Sequence, residues 1–259
     1  MPDEIRQLFN EKSRDYDAQY ADDESNNVFE KEKIRRRDIA VEFISKKLKP
    51  DNRILEIGCG TGQFIQMLSG KKNKFFYHGM DLSDSMVRLS AEKFAGKNNI
   101  RISRGDFLSE EIEEKYDFII ALGVIGYVAD HELFIKKAAG LLNPGGYFIF
   151  SFSNKYSIFR IIRNTFVGFS CLVKGKKKVY RSYRPGELKK ILLKNNIRIK
   201  KSTYITFAPA LIQSDLEKKM DDWLFRLLVE SRISRIVGMS AIYLSQKEDE
   251  RDIINHRRP

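Results

Sequence analysis

The apolar residues of this chain change rhythm in a way that lays out an α/β domain. Between residues 28 and 47 they fall at Val28, Phe29, Ile34, Ile39, Ala40, Phe43 and Ile44, and the 39, 40, 43, 44 spacing marks the buried stripe of a helix. Arg35, Arg36 and Arg37 give this helix a basic face, and Pro50 stops it. Short apolar runs then alternate with helical patterns. The runs at 53–57, 75–81, 100–103, 116–121 and 147–152 read as strands, and the fourth is apolar enough for a central parallel strand. Helical patterns follow at about 62–70, after Ser83 as N-cap, and over Leu133–Leu142, where Asn143-Pro-Gly-Gly146 is a stop signal. Beyond them come a helix opened by Pro185, a sixth strand at 197–207, a helix from 211 to about 236 and a seventh strand at 239–245. Strands alternating with helices predict a doubly wound, mostly parallel sheet.

The chemistry concentrates where the first strand ends. Arg53–Ile57 runs into Gly58, Gly60 and Gly62 at two-residue spacing, and a helix begins at once. Such a turn brings backbone N–H groups close to a ligand, because glycine accepts positive φ and has no Cβ in the way. The dinucleotide fingerprint is G-x-G-x-x-G. Here the pattern is G-x-G-x-G with Glu56 two residues ahead, and it resembles the first motif of the class I S-adenosylmethionine (SAM) dependent methyltransferases. Asp81 follows 19 residues after Gly62 in Asp81-Leu-Ser-Asp-Ser-Met86, Gly105-Asp106-Phe107 follows the third strand, and Leu141-Leu-Asn-Pro-Gly-Gly146 precedes the fifth. Residues 54–152 resemble that family in five motifs in the right order. A small-molecule methyltransferase is the type most similar.

The resemblance implies a Rossmann-like seven-stranded sheet with the last strand antiparallel, an N-terminal helical flap and a helical insertion after strand five. It implies SAM as cofactor. Asp81 would take the ribose diol, Met86 would line the adenine slot with Leu82 beside it, and Asp106 and Phe107 would meet the adenine. Glu56, Gly58, Cys59 and Gly60 belong to the motif turn, and Leu122 approaches the sulfonium. Tyr16 and Tyr20, in a Tyr-Asp-x-x-Tyr run, would form the flap. The implied organisation is 1–47 flap, 48–153 SAM-binding core, 154–180 insertion, 181–246 remainder of the sheet and 247–259 charged tail.

Charge changes the picture locally. The net charge is +12, yet residues 155–201 hold 15 Lys or Arg against Glu187 alone, so the excess is one field. Such a field suits an anionic partner. The apolar stretch 157–173, broken by Arg160, Arg163 and Asn164, either covers an acceptor pocket or lies on an anionic lipid surface. Two cysteines are too few for a disulfide framework, and the start Met-Pro-Asp-Glu-Ile-Arg has no apolar leader. The expected setting is therefore cytoplasmic, with peripheral membrane contact through 155–201 left open.

Methyl transfer from a sulfonium is an in-line displacement, so the protein mainly orients an O or N nucleophile of a small acceptor: a sugar, a lipid-linked molecule or a secondary metabolite. His131, just past the fourth strand, is the candidate general base; Tyr127 is the next, and Tyr20 a more distant one. No Cys/His spacing suits a metal. The fourth strand ends in Ala-Leu-Gly-Val, which argues against nucleic-acid bases as acceptor. A SAM-binding protein without turnover, associated with RNA or membrane, is one alternative. A nicotinamide oxidoreductase is another, disfavoured by G-x-G-x-G and by the lack of a Tyr-x-x-x-Lys pair.

Overall fold

A computed structural model of the chain describes residues 2–20, 27–70, 74–163, 165, 180–208 and 215–249. Helix α1 (Pro2–Lys12) and two 3-10 turns precede α2 (Val28–Lys47). Asn27 starts α2 in a capping box: its side chain accepts from Phe29 and Glu30 N–H, and Glu30 accepts from Asn27 N–H. The strands are β1 (Asn52–Ile57), β2 (Phe75–Asp81), β3 (Ile100–Arg104), β4 (Tyr116–Ala121) and β5 (Leu142–Asn154). Between them lie α3 (Gln63–Ser69), α4 (Asp84–Lys93) and α5 (His131–Leu141). A two-residue β6 (Ser182–Tyr183), α6 (Pro185–Lys194), β7 (Ile197–Tyr204), α7 (Asp215–Leu228), the short α8 (Ser234–Val237) and β8 (Ser240–Lys247) follow.

The sheet order is β3-β2-β1-β4-β5-β8-β7, with β6 paired to β5 off this path. The chain reverses its direction of growth between β1 and β4, which leaves a crevice beyond their carboxyl ends. Among the described strands only β8 runs antiparallel, between β5 and β7. The seven-strand expectation therefore holds along the main path, and β6 is an addition too short to carry a periodic signal.

The side chains of β4 alternate between two covered faces. Phe118 and Ile120 face the layer of α2 and α3, with Ala40, Ile44, Phe64 and Ile65. Ile119 and Ala121 face α5 and α6, with Phe134, Ile135 and Leu188. Both faces of the sheet are covered, so its central strands are mostly apolar. Some boundaries differ from expectation. Strand β5 begins at Leu142, because Leu142 already pairs with Tyr116 before the register shift at Phe118. The region read as one helix to residue 236 is broken after Leu228, where Ser231 N–H and Oγ both bond the Leu228 carbonyl. Of the insertion expected over 154–180, residues 158–163 are helical, whereas 164 and 166–179 lie outside the described residues, as does the tail from 250.

Glu56 departs from its expected place. It is buried, and Tyr77 donates its hydroxyl to Glu56 Oε2. Burial pushes its carboxyl up to about 8, against the pull of the Tyr77 hydrogen bond. The folded state then holds a proton that the unfolded state releases near the ordinary glutamate value. Between about pH 4.5 and 8 the contribution of Glu56 to stability falls as pH rises, by an amount of order a few kcal/mol for such a shift. Thermal denaturation between pH 5 and 8.5 checks this: Glu56→Gln is expected to flatten the decline, and an unchanged slope would refute the assignment.

Candidate cofactor and acceptor site

The crevice opens into a cavity of about 320 Å³. The β1 loop forms its floor. Gly58 and Cys59 N–H both donate to the Met80 carbonyl, so the turn hooks over the end of β2. Gly58 and Gly60 have φ of +72° and +52°. A Cβ on Gly58 would lie 2.4 Å from Val124 Cγ2, and one on Gly60 3.2 Å from the Tyr16 ring. The turn therefore needs glycine for conformation and for space.

Asp81 ties the floor to one wall. Its Oδ2 accepts from Gly60 N–H at 2.8 Å and its Oδ1 from Ser83 N–H at 2.9 Å. Burial pushes its carboxyl above the ordinary range, although these N–H groups pull the other way. Each oxygen keeps a lone pair, enough to accept two hydroxyls from a vicinal diol. Leu82, Met86, Asp106 and Phe107 line the same end. Asp106 Oδ1 takes the Leu108 N–H, which sets the carboxyl at the rim of the turn after β3.

The opposite end is cationic. Arg36 and Lys33 of α2 line it together with Lys12, Tyr16, Gln19, Gly123 and Tyr127. Arg36 bonds Glu32 at 3.3 Å, and both side chains are nearly buried. Burial disfavours the Arg36 charge, but Glu32 together with the surrounding tyrosine hydroxyls outweighs it, and the guanidinium stays ionised. Burial pushes Lys33 down to about 8, with Arg36 adding to the effect. Lys33 donates to the Gln19 side-chain oxygen and lies 5.0 Å above the Tyr16 ring.

The N-terminal segment roofs the cavity. Asn10 Oδ1 accepts from Ser83 Oγ and Ser85 N–H, which holds α1 on α4. Phe9 meets the Tyr127 ring edge-on at 5.4 Å. Asp17 accepts from Thr61 Oγ1, from Gln63 Nε2 at 2.8 Å and from Lys93 Nζ at 2.9 Å. Burial pushes Asp17 up, but these three donors outweigh it and hold its carboxyl below the ordinary value.

The structure thus gathers Tyr16, Gly58, Gly60, Asp81, Leu82, Met86, Asp106, Phe107, Leu122 and Tyr127 around one cavity. Four expected site residues stand elsewhere. Glu56 is engaged by Tyr77 beneath the floor. Cys59 is buried, with Sγ in close packing against Gly79. Tyr20 stands behind Tyr16, under the Arg37 guanidinium. His131 Nε2 lies 3.2 Å from Glu187 Oε1 and its ring packs on Tyr183, outside this cavity. The contact with Glu187, distant in sequence, is one that periodicity cannot show. Arg36 was legible only as one third of a basic face. In the fold, Arg35 is spent on Asp221 and Asp222, and Arg37 on Asp38, and Arg36 alone enters the cavity.

A family profile described as a methyltransferase domain matches residues 29–202. The chain belongs to this methyltransferase family. It is a class I SAM-dependent methyltransferase, which decides between SAM and nicotinamide in favour of SAM. A ubiquinone biosynthesis O-methyltransferase of Bradyrhizobium diazoefficiens is 30% identical over 174 residues, 65% of this chain and 67% of that protein. A malonyl-[acyl-carrier protein] O-methyltransferase of Priestia megaterium is also 30% identical, over 57% of this chain and only 50% of that protein. In fold, magnesium protoporphyrin IX methyltransferase of Synechocystis, solved with bound S-adenosylhomocysteine (SAH), superposes with a TM-score of 0.67. It is 18% identical, and 94% of this chain and 98% of that one are covered.

The cavity suits SAM in three respects: its volume, the two free lone-pair positions of Asp81, and a floor of glycines at which a Cβ would crowd Val124 or Tyr16. If Asp17 pins the roof, Asp17→Ala should raise hydrogen exchange in residues 2–20 and weaken SAH binding about tenfold. Exchange and calorimetry check this, and unchanged protection of that segment would refute it.

Proposed function

We propose that this methyltransferase places SAM with its ribose on Asp81, its adenine between Met86 and Phe107 with Asp106 at the edge, and its methionine carboxylate at Arg36. When bound, SAM supplies an activated methyl group. The protein's task is to orient the acceptor and exclude water. Tyr16 and α1 close the cofactor end, and Leu122, Gly123 and Tyr127 border the reacting end. Gly123 N–H donates to Ser151 Oγ at 2.7 Å, which fixes the turn after β4. The observation that carries this reading is the Asp81 carboxylate, anchored by backbone on one side and open to the cavity on the other.

The acceptor is a small molecule, methylated on oxygen or nitrogen. The two curated relatives are O-methyltransferases by name, which supports oxygen. A strong general base is not needed on this reading. Burial pushes the Tyr127 hydroxyl up to about 12, so it stays protonated at neutral pH and serves as a hydrogen-bond donor. An acceptor that is already nucleophilic, such as a carboxylate, an acidic phenol or a free amine, fits a site without a base.

Calorimetric titration tests the cofactor arrangement. Asp81→Ala should weaken SAM and SAH at least a hundredfold. Arg36→Lys, which keeps a charge opposite Glu32 but loses the fork, should weaken SAH about tenfold. The same variant should leave 5′-methylthioadenosine, which lacks the carboxylate, unchanged. Equal loss for both ligands would refute the Arg36 role.

A second reading adds contact with an anionic bilayer. Among the described residues, no helix is long and apolar enough to cross a membrane. Helix α7 nonetheless turns Leu216, Met220, Trp223 and Leu227 outward, and Trp223 is 62% exposed. Its other face is fastened to α2 through Arg35 and Lys31. An exposed apolar stripe with Trp, beside Arg226 and Arg232, suits the interface of an anionic bilayer. Trp223 is the single tryptophan. Its emission should shift to the blue with phosphatidylglycerol vesicles and not with Leu227→Glu, and no shift in the wild type would exclude this contact.

A further inference from the structure

A second cavity, of about 470 Å³, lies beyond the Tyr127 side of the first. It is lined by His131, Lys155, Arg160, Tyr180, Arg181, Ser182, Tyr183 and Glu187. The two cavities share a wall. Tyr180 meets Tyr127 edge-on at 4.8 Å, and Tyr127 lines the first cavity. Arg181 binds the back of the same wall: its N–H donates to Gly126 and its Nη1 to Ala129, both at 2.7 Å. The loop after β4 therefore separates a cofactor-sized chamber from a second one.

The lining of this second chamber has a definite chemistry. Three cations, Lys155, Arg160 and Arg181, face one carboxylate, Glu187, and that carboxylate is occupied by His131. Arg160 is 6% exposed and is held rigidly, with Nε and Nη2 both donating to the Met239 carbonyl. Burial weighs against the Arg160 charge and Glu32 offsets this only in part, so an anion in the cavity would be favoured beside it. Ser182 adds an independent mark. Its Oγ is buried and, among the described residues, has no hydrogen-bond partner. A buried hydroxyl without a partner is costly, and because Ser182 lines the cavity, rotation about its Cα–Cβ bond would bring the hydroxyl to a ligand there.

We propose that this chamber binds an anionic group of the acceptor, a carboxylate or a phosphate ester, through Arg160, Arg181, Lys155 and Ser182. The reacting atom of the same molecule then crosses the Tyr127–Tyr180 edge towards the cofactor chamber. Anchoring at a distance converts binding energy into alignment of the nucleophile, the main contribution open to a site without a base. The inference rests on the methyltransferase reading of the first cavity and names the class of its substrate. It also gives part of the basic field of residues 155–201 a use that requires no lipid or nucleic acid.

The test is calorimetric titration with inorganic phosphate and with succinate, which separate the two kinds of anion, each with and without saturating SAH. At least one probe should bind at millimolar concentration. Arg181→Ala, Lys155→Ala and the milder Ser182→Ala should each weaken it threefold or more, and the Lys155 and Ser182 variants should leave SAH affinity unchanged. Absence of binding by both probes, or binding indifferent to all three substitutions, would overturn the proposal. Because the titrations are also run without SAH, a missing cofactor site and a missing anion site give separate readings.

Discussion

The organisation of the site depends on one carboxylate. Asp81 ends β2 and accepts the Gly60 N–H on one oxygen and the Ser83 N–H on the other. These contacts join the loop after β1 to the loop before α4, so two crossover connections meet at a single charged group. The Gly58 and Cys59 N–H groups bond the carbonyl of Met80, one residue earlier. The glycine turn is thus held from below by β2 and from the side by Asp81. Tyr16 can then close over Gly60, because the position of Gly60 is fixed. A carboxylate in this place is costly to bury, and its raised pKa records that cost. The same tension makes the group responsive to hydroxyl donors from a ligand.

Much of this was legible from periodicity and spacing. The strand–glycine–helix unit at 53–70, the acid at 81 and the stop signal at 143–146 are local features, and local rules place them. Asp81, Met86, Asp106 and Phe107 come together in the fold as the resemblance implied. What escaped are the residues whose role is set by distant partners. Glu56 reads like an open carboxylate beside a ligand loop, yet Tyr77, on the neighbouring strand, captures it. His131 reads like a base beyond β4, but Glu187, at the start of α6, holds it. Arg35, Arg36 and Arg37 are indistinguishable in sequence. Their separation into a strut to α7, a cavity cation and a surface pair requires the position of Asp221, which lies far along the chain.

Helix α2 illustrates why a weak amphipathic pattern can mark a functional element. Only Val28, Ile34, Ala40, Val41 and Ile44 are buried along its 20 residues, while most of the others are half-covered. The helix is sandwiched between the sheet, α7 and the N-terminal roof, so polar side chains are needed on three sides. Thr206 donates to Glu32 at 2.9 Å, which steadies the partner of Arg36 from the β7 side of the molecule. The cation at the end of the cavity is thereby connected to the last part of the sheet.

The position of β8 has a consequence for biosynthesis. Strand β8 pairs with β5 on one side and β7 on the other, although it follows both in sequence. On the ribosome, β5 and β7 emerge first and cannot be joined in this register. A nascent chain that has reached residue 239 displays two unsatisfied strand edges, one of them flanking the Phe148-Ile-Phe150 run. The half of the sheet that carries the cofactor motifs can form early. The molecule as a whole reaches its native state only when residues 240–247 insert between strands already made. The topology thus makes the insertion of β8 the step that closes the sheet.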